Sequence, residues 1–274
     1  MVHAWRVDGT SHVGAPRLTP AGSLGVTWLG HSSVVIELDG VVLVTDPVLR
    51  NRVLLLRRAA AAPDLPAHVD AVLISHVHYD HLDRPSLRLF RPGVAIVVPR
   101  GARTWLPRGR FDPVVEIGEG GRTSVGSVVV QAVPAVHPVR RRRRDIPALG
   151  YVLHGSQHVY FAGDTDLFDG MRDLGEGLDG ALLPISGWGR HVPAGHLTPE
   201  RAAVALEMLR PRWAIPVHWG TYAGPGGRHV LLDPGRAARE FAALAAERTP
   251  GVDILVPEPG AEVRIAPREP VPPS

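Results

Sequence analysis

Residues 75–83 read Ser-His-Val-His-Tyr-Asp-His-Leu-Asp, and they follow directly on the apolar run DAVLIS at 70–75, which has the length of a buried strand. Side chains two apart on an extended chain project to the same side, so His76 and His78 can offer both imidazoles to one ion. Asp80 and His81 then turn with the loop toward a second position. Three imidazoles and a carboxylate packed this tightly are costly to bury unless they are paired or ligated. A His-rich solvated loop is the bland alternative, but His-x-His-x-Asp-His spacing after a buried strand is far more specific than a lone histidine. Four donors are too few for two ions, so further ligands are expected downstream.

Three candidates appear there. His137 closes VVVQAVPAVH, Asp164 closes VYFAGD, and His218 closes WAIPVH, each just beyond an apolar run. Taken singly, either histidine is as readily an ordinary loop residue, and Asp164 in GDT a turn or cap. As an ordered set they read as one metal site.

Composition narrows the chemistry. The 274 residues contain no cysteine, which removes disulfides, thiolate ligands and a cysteine nucleophile. All 30 basic residues are arginine, so a Schiff base or a lysine general base is excluded. A net charge of +3 is too small to indicate wholesale nucleic-acid binding, although Arg140 to Arg144 form a local positive run. A hydrophobic fraction of 45% supports one sizeable core. No signal-peptide-like run and no stretch of ~20 apolar residues is visible, so a cytoplasmic protein without a membrane span is expected. Homo-oligomer formation is compatible with this composition.

Residues 1–22 read as a Gly- and Pro-rich arm, 23–266 as one domain, and 267–274 as a disordered Pro-rich tail. Strands are expected at 24–29, 33–38, 41–46, 70–75 and 94–98, then at 114–117, 127–133, 151–154, 158–163 and 213–218. The Arg-rich stretch 49–62 reads as a loop with some helix. Helices are expected from Pro85 to Phe90, after the Thr198 cap, and after Asp233-Pro234. Two β-rich halves, each followed by helices, suggest an α/β fold of two packed sheets with helices outside, a four-layer αββα sandwich.

The ordered ligand set resembles the metallo-β-lactamase superfamily. That resemblance implies His76, His78 and His137 on a first metal, Asp80, His81 and His218 on a second, and Asp164 bridging. The segments WLGHSSVVIELDGVVLVTDPV, YFAGDTD, GHLTPERA and PVHWGTY, spread over residues 24–222, are similar to the branch of ascorbate-6-phosphate lactonase and N-acylphosphatidylethanolamine phospholipase D. Implied cofactors are two divalent ions, zinc first, with manganese or iron as alternatives. Their shared hydroxide would cleave a phosphodiester or a phosphate-bearing lactone or ester, with Asp80 and His196 in catalytic roles and His196 delivering a proton. His31, Arg140 and Arg141 are expected on the substrate side, and Asp46 behind a ligand imidazole. Trp188 and Trp219 read as pocket lining or core. The expected partner is an anionic small molecule or a lipid-like substrate. A nuclease and a non-catalytic metal-binding protein are the competing readings. The sequence departs from the branch at PVRRRRRD after His137 and at Ala148-Leu149-Gly150-Tyr151, both where substrate would approach.

Overall fold

Asp39 and Gly40 take φ of 51° and 80°, the left-handed backbone that a tight two-residue hairpin needs. They join β2 (Ser33–Leu38) to β3 (Val41–Thr45), and β2 also pairs antiparallel with β1 (Leu24–Gly30). The computed structural model of the chain describes residues 22–59, 62–141, 144–187, 192–225 and 232–267, with the backbone alone for Arg140, Arg141 and Arg144.

The remaining elements follow in order. A small hairpin, β4 (Arg52–Val53) and β5 (Leu56–Arg58), precedes β6 (Ala71–Leu73), the one-turn helix α1 (Arg84–Leu87), β7 (Val94–Pro99) and β8 (Phe111–Ile117). The second half opens with β9 (Arg122–Val125) and β10 (Val128–Pro134), followed by the short pair β11 (Arg140–Arg141) and β12 (Arg144–Asp145). It continues through β13 (Leu149–His154), β14 (His158–Phe161), α2 (Met171–Leu174), β15 (Gly180–Pro184) and α3 (Pro199–Leu209). Last come β16 (Trp213–Val217), β17 (Tyr222–Ala223), α4 (Arg236–Arg248), β18 (Asp253–Ile254) and β19 (Glu262–Ile265).

Two seven-stranded sheets result, ordered β19-β1-β2-β3-β6-β7-β8 and β18-β16-β15-β14-β13-β10-β9. Each begins antiparallel and turns parallel, at β3–β6 in the first and at β14–β15 in the second. Alternation along the strands separates two cores. Val34, Ile36, Leu43, Leu73 and Val97 face the second sheet, where Tyr151, Leu153 and Phe161 meet them. Their neighbours Val35, Val44, Val72 and Ile96 point the other way, into a smaller cluster with Leu87 and Phe90. Helices α3 and α4 pack Leu206, Leu209 and Phe241 on the larger core. This is the expected α/β sandwich, with a thin outer layer over the first sheet, where α1 is a single turn.

Three local expectations change. Within the segment expected as a loop with some helix, residues 52–58 form the β4–β5 hairpin, which pairs with β17. Asp83 accepts from Ser86 N at 3.0 Å and so starts α1 at Arg84, and α4 begins at Arg236, beyond Asp233-Pro234. β15, β18 and β19 were not anticipated; β15 is short and wholly buried, and so lacks the alternation that marks a half-exposed strand. Of the expected arm at 1–22 and tail at 267–274, residues 1–21 and 268–274 lie outside the described residues. Among the described residues no helix is long and apolar enough to cross a membrane.

Candidate metal centre

The candidate ligands leave their strands at one edge of the sandwich. Asp46 follows β3, the 76–81 loop follows β6, His137 follows β10, Asp164 follows β14 and His218 follows β16. Local hydrogen bonds aim the side chains. His81 N and Leu82 N both donate to His78 O, at 3.1 and 2.8 Å, which curls the loop so that His78, Asp80 and His81 face inward. His218 stands at φ 61° with its N–H on His31 O at 2.9 Å. His31, at φ 56°, donates its own N–H to Thr221 Oγ1 at 2.7 Å. Left-handed non-glycine residues that persist in this way are strained positions held by their surroundings, as functional sites commonly are. Gly163, with φ 60°, lets β14 pass Ser75, whose Cβ a side chain there would meet at 2.6 Å. Asp164 follows immediately.

One group of donors is all nitrogen. His76 Nε2 and His137 Nε2 each lie 3.1 Å from His78 Nδ1. Two nitrogens bound to one zinc at ~2.0–2.1 Å in a tetrahedral site lie ~3.3 Å apart, so this spacing suits a shared ion. The other group brings Asp80, His81 and His218 together with His31, with one donor atom from each within 4.8 Å of the rest. Asp164 stands between the groups. Its Oδ2 is 3.8 Å from His76 Nε2, 4.0 Å from His137 Nε2 and 3.1 Å from His81 Nε2, while Oδ1 is 3.3 Å from His218 Nε2.

The outward ring nitrogens are committed. His137 Nδ1 donates to Gly195 O and His218 Nδ1 to Ser186 O, both at 2.8 Å. His81 Nδ1 donates to Asp46 Oδ2, also at 2.8 Å. Ser75 Oγ donates to that same Asp46 oxygen, so it accepts from His76 Nδ1 at 3.0 Å. These partners set the tautomers and turn the Nε2 lone pairs inward. Among the described residues, His81 Nε2, His218 Nε2 and Asp164 Oδ1 are buried without a hydrogen-bond partner. Buried polar atoms seldom remain so, and a set of lone pairs converging on one space calls for a cation. The residues present fit a metal.

Electrostatics agree. Burial, and then neighbouring imidazoles, hold His76 and His78 below the ordinary histidine value. Burial takes His137 down to about 4. Against their own burial, Asp80 and Asp164 are held well below the usual carboxylate range, Asp80 chiefly by His81 and His31 and Asp164 chiefly by His218 and His81. Neutral imidazoles and ionised carboxylates are the forms that ligate. His81 is the exception: against its burial, Asp164, Asp80 and Asp46 push it well up, which marks a place rich in negative charge.

The other expected residues divide. His196 sits at the mouth, its Nε2 3.3 Å from Asp164 Oδ2 and its Nδ1 3.2 Å from Pro193 O. Asp164 raises its pKa against the effect of burial. His31 is moved from its expected place. It is 2% exposed, donates toward Asp80 Oδ2 at 3.2 Å, and its ring lies 3.9 Å from that of His218, tilted by 38°. Burial under Asp80 takes it away from any substrate, and burial with His218 lowers its pKa to about 3. The side chains of Arg140 and Arg141, like Trp188, lie outside the described residues. Trp219 is core, stacked 4.6 Å from Trp28. Four supports were not anticipated: Ser75, Thr221 and the carbonyls of Gly195 and Ser186.

Above the donors opens a cavity of about 950 Å³, floored by His78, Asp80, His137, Asp164, His196 and His218. Residues 42–219 match the β-lactamase superfamily domain. The chain belongs to the β-lactamase superfamily. Within that superfamily it is 33% identical over 243 residues to a UPF0173 metal-dependent hydrolase of Methanopyrus kandleri, covering 86% of this chain and 97% of the relative. It is also 30% identical over 249 residues to an N-acyl-phosphatidylethanolamine-hydrolyzing phospholipase D of Caenorhabditis elegans, covering 80% of this chain and 69% of the relative. Among solved structures, the metallo hydrolase Igni18 of Ignicoccus hospitalis superposes with a TM-score of 0.68 at 24% identity, over 90% of this chain and all of that one (100%). This member of the superfamily is accordingly a metal-dependent hydrolase, with histidine and aspartate clusters able to hold metal.

Proposed function

We propose that the chain is a dinuclear hydrolase of phosphodiesters, with zinc as the first choice of metal. The observation that carries this reading is the position of Asp164: Oδ2 lies between the groups, 3.1 Å from His81 Nε2 and 3.8 and 4.0 Å from His76 and His137 Nε2, and Oδ1, 3.3 Å from His218 Nε2, is buried without a hydrogen-bond partner. His76, His78 and His137 would hold one ion, Asp80, His81 and His218 the other, and Asp164 both. Such a pair supplies a nucleophile at neutral pH and positive charge for a developing oxyanion.

The chain's own residues do the rest. Asp164 fixes the spacing of the two donor groups. His31 holds Asp80 Oδ2 in place, and Asp46 orients His81 directly and His76 through Ser75. His196 Nε2 stands at the mouth of the cavity beside Asp164, where it delivers a proton to the leaving oxygen. A phosphodiester is chosen over a lactone because one of the relatives is named as a phospholipase D.

The test is a hydrolysis panel on zinc-, manganese- and iron-reconstituted protein: bis-p-nitrophenyl phosphate, a phosphorylated lactone and single-stranded RNA. Diester cleavage with intact RNA is expected. Lactone opening alone overturns the choice of bond, and RNA cleavage with steep salt dependence moves the reading to a nuclease.

A further inference from the structure

The β4–β5 hairpin stands at the rim of the cavity, and its turn is made of the wrong residues. Val53 pairs with Leu56, which leaves Leu54 and Leu55 as a two-residue turn. Turns of this length need positive φ and are normally built with Asn or Gly; here Leu54 occupies that position at φ 50°. Both leucines are open to solvent, Leu54 at 66% and Leu55 at 73%. Polar turn residues would serve the hairpin better on both counts. A local rule broken without local gain points to function.

The hairpin is anchored. Val53 and Leu56 bury with Val48 and Tyr222 in a cluster of their own. β5 pairs with β17, Arg58 donates to Val48 O and Leu29 O, and Tyr222 Oη donates to Arg50 O at 2.6 Å. Leu54 and Leu55 are therefore held in place over the cavity, and Tyr79, 43% exposed, stands between the ligands His78 and Asp80. Pro193 and Pro225 extend the apolar wall. One cavity thus has a charged floor and an apolar rim, with a volume at the upper end for a small-molecule site.

We propose that this rim binds an alkyl or acyl chain carried by the substrate, so that the hydrolysed compound is an amphiphile whose head reaches the donor groups and whose tail lies on Leu54, Leu55 and Tyr79. The inference rests on the hydrolase reading above and names its substrate class. Buried methylenes add affinity in proportion to their number, which makes the proposal quantitative.

The test uses p-nitrophenyl phosphodiesters whose second ester group runs from methyl to decyl, kept below their micelle concentrations. The full chain, zinc-reconstituted, is compared with a Leu54→Asn/Leu55→Gly double variant, which suits the turn better than the native pair. In the native chain kcat/KM is expected to rise about two- to fourfold per methylene over the first several carbons. In the variant the methyl diester is cut at the native rate and the rise is flattened. No rise in the native chain, or the same rise in the variant, overturns the proposal. Calorimetry of decyl phosphate against methyl phosphate applies the same criterion without turnover, so a failure of the diester reading alone remains distinguishable. If there is no chain-length effect, and the leucines instead govern sedimentation with phosphatidylglycerol vesicles or self-association, they belong to a membrane or a second copy and the proposal fails.

Discussion

The two donor groups at the sandwich edge differ in composition and surroundings. His76, His78 and His137 contribute nitrogen alone, and two of the three line the cavity. Asp80, His81 and His218 bring a carboxylate, also have two members on the cavity, Asp80 and His218, and are backed by the buried His31. The first group is therefore neutral, whereas the second carries charge that the fold itself must balance. They are joined twice, by Asp164 between them and by Asp46 behind them.

Four substitutions test that contrast. Asp164→Ala removes the shared carboxylate, and turnover should fall by about a thousandfold or more, the scale of losing several kcal/mol of transition-state stabilisation, with metal lost from both groups. Diester kinetics and elemental analysis of the same preparation check it. His137→Ala should empty only the nitrogen group, leaving near one ion per chain by elemental mass spectrometry. Loss of both ions there would mean that the groups do not load independently. Asp46→Asn touches both groups from behind, so metal affinity should weaken at both by roughly 10- to 100-fold, measured by competition with a chromophoric chelator. His31→Gln should have the smallest effect, about tenfold at the second group alone. An equal effect at both groups would contradict its assignment beneath Asp80.

The candidate donor positions were legible because each lies at or just beyond the end of an apolar strand run, and a strand end at a sheet edge is where a short polar motif can only point outward into the site. The helix starts were legible where a capping side chain exists, as at Thr198, whose Oγ1 accepts from Arg201 N at 3.4 Å. What escaped notice had no side-chain signal. Gly195 and Ser186 act through carbonyls, which any residue carries. His31 in Gly-His-Ser-Ser was expected on the substrate side, and the partners that bury it, Thr221, His218 and Tyr222, are all distant in sequence. The β4–β5 hairpin was hidden because Leu54 and Leu55 occupy the turn where Asn or Gly would have announced it.

The central claim is that one carboxylate, Asp164, joins two ion positions. It is tested most directly by metal stoichiometry on the purified, zinc-reconstituted chain, by elemental mass spectrometry, beside Asp164→Ala. The account predicts near two ions per native chain and fewer than one in the variant. A native chain that takes up no metal, or a variant that keeps both ions, would contradict it.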